Sequence, residues 1–206
     1  MCEKRGKPMK LDLVHDLQRA YRKTLDSMSR PGVIHNLREQ ADKMELETGC
    51  FNATLVLVLM LFNTEVKFSV GSKHNVEMAK LIKQLTYAKV TDMENADYIL
   101  VLKDAQPEEL ERAIRTSYPG DLRDPHKAAT VIIEVDALSN DRALALSGPG
   151  IERESYVKVI TTERWVDLRA DKNSEYPMGI DLIFTDPNDN ILCLPRTVQI
   201  SQQVVE

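Results

Sequence analysis

The chain has 206 residues, 27 Lys and Arg against 32 Asp and Glu, a formal net charge of −5, and 43% apolar residues. A chain of this length buries roughly 70% of its unfolded surface, so it needs no metal or disulfide staple. Its mildly acidic balance argues against a general nucleic-acid or anionic-membrane surface, which would be basic. The expectation is an α/β protein of the cytoplasm, with a polar leader at 1–10 and one domain over 11–206.

Along the chain, Val14, Leu17, Tyr21, Leu25 and Met28 recur at helical spacing behind Asp12, a plausible N-cap. That helix should stop before Pro31, because the residue preceding proline avoids the α region. Gly32 then turns the chain into a strand at Val33–Leu37. The ten-residue run Ala53–Phe62 reads as a buried helix capped by Asn52, with a buried strand left open by its β-branched content. At 1.5 Å per residue it reaches about 15 Å, half a bilayer core, so no membrane span is expected.

Glu65–Val70 alternates with period 2 and ends at Gly71, a strand signal. His74–Leu85 carries a helical apolar face. Tyr98–Leu102 is a continuous apolar run, as in a strand covered on both sides. Pro107 and the glutamates after it mark a helix start, and Pro119, Gly120 and Pro125 mark a loop. Two strands, Ala129–Val135 and Ala143–Leu146, are expected side by side, joined near Ser139–Asp141. A helix around Trp165 follows. Ile180–Phe184 and Ile191–Leu194 flank Asp186-Pro187-Asn188-Asp189-Asn190, the signature of a β-hairpin. Interleaved helices and strands predict a three-layer α/β/α domain with a mixed sheet.

The familiar catalytic signatures are missing. There is no GxxxxGK[ST], GxGxxG after a strand, HExxH or GxSxG. The histidines, His15, His35, His74 and His126, share no metal-ligand spacing. Cys2, Cys50 and Cys193 are odd in number and far apart, unlike a disulfide framework or a CxxC site.

Four clusters remain. Met28-Ser29-Arg30-Pro31-Gly32 closes the first helix, with Arg22 two turns earlier. Gly148-Pro149-Gly150-Ile151 follows a strand and offers backbone N–H groups to an anion. Tyr176-Pro177-Met178-Gly179-Ile180-Asp181 enters a strand with a carboxylate among apolar neighbours. Leu194-Pro195-Arg196-Thr197 ends the hairpin. A buried aspartate needs a cation or several N–H donors, so Arg22 or Arg196 is its expected partner. Asp181 and Arg196 are not register partners on a simple hairpin, so their pairing needs a bend at Pro195. One reading is an anion or nucleotide pocket built from Arg22, Gly148, Gly150, Asp181 and Arg196. The other is a buried ion pair beside ordinary turns.

These clusters, in this order, resemble the PhnH family, the H subunits of bacterial carbon–phosphorus lyase systems. The family's "MSxPG" is matched by Met28 to Gly32 and its "GPGI" by Gly148 to Ile151. Its "PxGxDL" is matched by Pro177, Gly179, Asp181 and Leu182, and its "PRT" by Pro195-Arg196-Thr197. The resemblance implies a fold similar to pyridoxal-phosphate-dependent transferases without their cofactor site, and no lysine here has a recognisable Schiff-base context. It also implies a homodimer in isolation that joins G, I and J subunits in a core complex. With ATP, that complex forms ribose 1-alkylphosphonate 5-triphosphate, as an α-D-ribose 1-methylphosphonate 5-triphosphate synthase, on the way to organic phosphonate breakdown. Catalysis is implied for the I and J subunits, so the H subunit has no catalytic residue, cofactor or metal of its own. From the residues alone, two alternatives stay open. One is a free-standing transferase or hydrolase of a phosphorylated metabolite, with arginines clamping the anion and Asp181 as base. The other is a degenerate pyridoxal-phosphate enzyme.

Overall fold

The computed structural model describes residues 11–46 and 48–202. The polar leader and Cys2 lie outside the described residues. In chain order the elements are α1 (His15–Ser29), β1 (His35–Asn36), α2 (Arg38–Ala41), α3 (Asn52–Leu61), β2 (Lys67–Gly71), α4 (Asn75–Thr86), β3 (Lys89–Val90), β4 (Tyr98–Val101), α5 (Glu109–Thr116), β5 (Thr130–Glu134), β6 (Ala137–Ser147), β7 (Ser155–Ile160), α6 (Val166–Lys172), β8 (Asp181–Thr185), β9 (Asn190–Leu194) and β10 (Gln199–Gln202). Seven strands form one mixed sheet in the order β1-β9-β8-β5-β4-β2-β3, and β10-β6-β7 form a second. The expected α/β class with a mixed sheet is what the chain adopts.

The alternation of strand side chains builds two cores. Leu100, Ile132, Ile183 and Cys193 face one side, against Ala20, Leu55, Val58, Met78 and Ile82 of α1, α3 and α4. Ile99, Val131, Ile133, Leu182 and Phe184 face the other, against Leu110, Ala113 and Ile114 of α5 and against the small sheet. The Trp165 ring, just before α6, packs on Phe184 with centroids 4.9 Å apart. Among the described residues no helix is long and apolar enough to cross a membrane.

Several sequence expectations change. Ala129–Val135 and Ala143–Leu146 do not pair: β5 lies in the large sheet between β4 and β8, while β6 pairs with β7 and β10. Ser139 to Asp141 sit inside the long β6, where its register against β7 shifts, and not in a connecting turn. The Val33–Leu37 strand shrinks to His35–Asn36. Asn52 is not the cap of α3: the capping position falls on Phe51, whose own N–H Glu134 accepts at 2.6 Å. Asp12 does cap α1, its Oδ1 accepting the Val14 and His15 N–H groups at 2.8 and 3.0 Å.

The largest change concerns α1. Its apolar stripe is not its buried face. Val14, Tyr21 and Leu25 are 71, 51 and 54% exposed, whereas Asp16, Ala20, Thr24 and Ser27 are buried. Hydrogen bonds hold the polar face inside. Asp16 accepts Lys43 Nζ at 2.7 Å. The Ser27 hydroxyl donates to the Val33 carbonyl at 3.0 Å and accepts the Cys193 N–H at 3.0 Å. Because β1 pairs with β9 only at Asn190 and Ile191, that N–H has no strand partner, and Ser27 supplies one.

Candidate functional site

At the end of the sheet where β8 begins and β9 finishes, the register pairs Leu182 with Leu194. Arg196 therefore lies one residue past the position facing Asp181. Pro195 lacks an N–H to continue the ladder, and the chain turns there, with the Val198 N–H on the Pro195 carbonyl at 3.0 Å. The bend brings the two side chains together, so that Arg196 and not Arg22 is the partner of Asp181. Arg196 Nη2 donates to Asp181 Oδ2 at 2.7 Å, while Nε and the backbone N–H donate to Oδ1 at 3.3 and 2.7 Å. Arg196 Nη1 donates to the Pro125 carbonyl. Both side chains are under one-fifth exposed. This two-pronged geometry is the strong form of an arginine–carboxylate contact.

A second arginine, which sequence reasoning missed, stands behind the same turn. Arg169 is 2% exposed and donates to the Pro195 and Val198 carbonyls at 2.6 and 3.1 Å. Burial pushes its guanidinium down to about 10, against the opposing pull of Asp181. The available signal was its i+4 spacing from Trp165, which placed it on the inward face of α6. Asn173 completes the frame. Its Oδ1 accepts the Ile180 N–H at 2.8 Å, and its Nδ2 donates to the Ile180 and Arg196 carbonyls at 3.1 and 3.3 Å. Gly179 is required beside it: at φ +140° a Cβ would sit 2.7 Å from Asn173 Oδ1.

The glycine loop joins this end from the other side. A Cβ on Gly148 would lie 3.0 Å from the Thr197 carbonyl oxygen, and one on Gly150 would collide with the Ser29 carbonyl oxygen at the end of α1. All four sequence clusters thus converge on one region. Of the five pocket residues proposed from sequence, Asp181 and Arg196 bond directly, while Gly148 flanks their turn and Gly150 seats the loop on α1. Arg22 is exposed on α1 and makes no hydrogen bond or ion pair among the described residues.

Chemically, the arrangement is a clamp. The guanidinium of Arg196 is occupied by oxygens of the chain itself. No histidine ring bonds a serine or cysteine among the described residues; His15, His35 and His74 lie instead against Asp12, Asp26 and Glu77. Burial pushes the Cys50 and Cys193 thiols up to about 12, which makes them poor nucleophiles near neutral pH. No group of three or more His, Cys, Asp or Glu among the described residues is placed to hold a metal.

Several concavities among the described residues lie elsewhere, a cleft and a groove among them. A cleft of about 450 Å³ opens at the carboxyl ends of β4 and β5, lined by Lys103, Leu110, Glu134 and Glu163 among others. Glu134 Oε2 accepts the Lys103 N–H at 2.9 Å, and burial raises its carboxyl above the usual range. A groove of about 130 Å³ runs beside α1 between Tyr21, Leu25, Met28, Leu61 and Tyr98. None of the five sequence-proposed residues lines either one.

The fold and the clamp define an α/β protein organised around a structural ion pair, with its signature loops gathered at one end of the sheet. Residues 9–201 match the model of the bacterial phosphonate metabolism protein family PhnH, and the chain belongs to that family. It is 28% identical over 195 residues to the α-D-ribose 1-methylphosphonate 5-triphosphate synthase subunit PhnH of Rhizobium meliloti (strain 1021), covering 93% of this chain and 94% of that one. It is also 34% identical over 83 residues to the putative C-P lyase subunit protein HtxG of Stutzerimonas stutzeri, covering 40% and 42%. The family expected from the four motifs is the family found.

Proposed function

We propose that this chain is an accessory subunit of a carbon–phosphorus lyase core complex, supporting ATP-dependent formation of ribose 1-alkylphosphonate 5-triphosphate in phosphonate breakdown. The observation that carries the reading is the family match over residues 9–201, supported by relatives named as subunits of a 1-methylphosphonate 5-triphosphate synthase and of a C-P lyase. The clamp supports it too, because Arg196 is engaged by Asp181 and Pro125 and not presented to a substrate.

In this reading the isolated chain is a cytoplasmic homodimer without turnover, and G, I and J subunits are its partners in the complex. Its architecture is a relative of the pyridoxal-phosphate transferase fold that does not use the cofactor. Addition of pyridoxal phosphate to the purified chain then gives no Schiff-base absorption. Any phosphonate or nucleotide bound at the clamp end meets the glycine loop at Gly148 and Gly150, since Asp181 already holds Arg196.

The test is growth. Deletion of the gene should abolish growth on methylphosphonate as sole phosphorus source while leaving growth on phosphate intact, and the gene supplied in trans should restore it. Undiminished growth of the deletion strain on methylphosphonate would contradict the proposal.

A further inference from the structure

The large sheet ends at β3, and the chemistry of that edge is unlike the rest of the chain. Residues 65–90 carry five lysines against two glutamates, in a chain with 27 basic against 32 acidic residues. Among the described residues none of those five lysines has an ion pair. Lys67 and Lys89 are register partners on β2 and β3, so two like charges stand side by side. Asp97 accepts the backbone N–H of Lys67 at 2.7 Å, and Glu77 lies against His74. On the same segment Val76, Tyr87 and Val90 are 75, 73 and 52% exposed, and none of them packs against either core.

The backbone of the edge is open too. The Lys89 and Thr91 N–H groups bond the Val66 and Phe68 carbonyls at 2.8 and 2.9 Å. Between them, the N–H and C=O of Val90 point away from the sheet. The two faces of β3 differ. Phe68 lies in the core beneath α1, α3 and α4, so its register partner Val90 faces that side, while Lys67 and Lys89 face the other. On the Val90 side a groove of about 290 Å³ runs to Val76 and Ala79 of α4. Lys83 stands one turn beyond Ala79.

We propose that β3 is the docking edge for a strand of a different protein, one that alternates acidic with small apolar side chains. In strand addition the main chain supplies affinity and the alternating side chains supply specificity. Carboxylates on one face of the added strand meet Lys89 and Lys67. Apolar side chains on its other face enter the groove at Val90 and Val76. A second copy of this chain is a poor occupant, because two β3 edges side by side set lysine against lysine, which is how an edge lysine prevents self-pairing. A nucleic acid would match the lysines but leave Val76, Val90 and the outward Val90 C=O unmatched. The inference rests on the subunit reading above and adds where, and by what chemistry, a neighbouring subunit is held.

The probe is a fluorescent eight-residue peptide alternating glutamate with valine, titrated into the full chain and followed by anisotropy. It should bind at micromolar concentration, and a peptide of the same composition with its glutamates in one block should bind about tenfold more weakly. Val90→Pro removes the outward N–H at a site where an edge strand tolerates proline, and Lys67→Glu with Lys89→Glu reverses the charge. Each variant should weaken binding of the alternating peptide by about tenfold with an unchanged far-ultraviolet spectrum; if Val90→Pro does not fold, the charge variant decides. Equal binding of the two peptides, equal binding of a short DNA duplex, or indifference to the charge reversal would overturn strand addition. In the complex co-expressed with the other lyase subunits, hydrogen exchange over residues 88–92 should slow relative to the isolated chain. A complex that assembles without that protection overturns the docking edge and keeps the subunit reading. Failure to assemble overturns the subunit reading, and the peptide titration still decides the edge.

Discussion

Arg196 is held by three oxygens of its own chain, and its replacement tests what that holding is worth. Lysine keeps the charge but has neither the planar fork nor the reach to bond Asp181 and Pro125 together. Arg196→Lys should destabilise the fold by about 1–3 kcal/mol, the range for a lost hydrogen bond to a charged group, as measured by urea unfolding. A cost near zero would remove the clamp as an organising feature. Glu134 gives a second residue-scale prediction, with a definite sign. Burial makes its carboxyl harder to ionise in the folded chain than in the unfolded one. The folded state thus holds the proton more tightly, so this group favours folding below the ordinary glutamate value and loses that contribution as pH rises through the raised folded value. Its two oxygens accept the Phe51 and Lys103 N–H groups. Glu134→Gln turns an NH₂ toward one of them and should cost about 1–3 kcal/mol. The wild-type advantage over this variant should shrink as pH is raised across that window, followed by urea unfolding at successive pH values. An advantage that grows with pH would refute the assignment.

Among the elements, the loop after β6 is the most exacting. Gly150 has φ +83°, and a Cβ there meets the Ser29 carbonyl oxygen. Gly150→Ala should lower stability by about 2–4 kcal/mol, combining left-handed backbone strain with overpacking. Gly49→Ala, where the nearest atom is the flexible Met78 Cε at 3.6 Å, serves as the mild control; equal costs would deny the loop its seat on α1. These elements also show what the chain's pattern reveals and what it hides. The α3 segment and the β8–β9 hairpin were legible because length, apolar continuity and an Asp-Pro-Asn turn act locally. The need for a bend at Pro195 followed from counting register. The buried face of α1 was not legible, because Asp16, Thr24 and Ser27 are inside by virtue of partners distant in sequence such as Lys43 and Cys193. The split of β5 and β6 into separate sheets was hidden for a similar reason, since strand pairing across the chain outweighed proximity along it. Arg169 gave only the faint signal of sharing a face with Trp165.

At the scale of the molecule, the four motifs that mark the family turn out to be one structure. The entry to β8 and the turn after β9 hold one another through Asp181, Arg196, Arg169 and Asn173, and the glycine loop packs closely against that turn at Gly148 and against the end of α1 at Gly150. Their chemistry is that of positioning: Arg196 Nε, Nη1 and Nη2, Arg169 Nη1 and Nη2, and Asn173 Nδ2 are all directed at the chain's own oxygens. Such a region keeps a surface rigid, which is what a subunit needs in order to dock reproducibly. A subunit of this kind should do nothing alone and be indispensable in company. The measurement that tests this most directly is affinity purification of the tagged chain, at native expression, from phosphate-starved source cells. The account predicts that G, I and J subunits of the carbon–phosphorus lyase co-purify with it in fixed proportion; recovery of the tagged chain without any of them would contradict it.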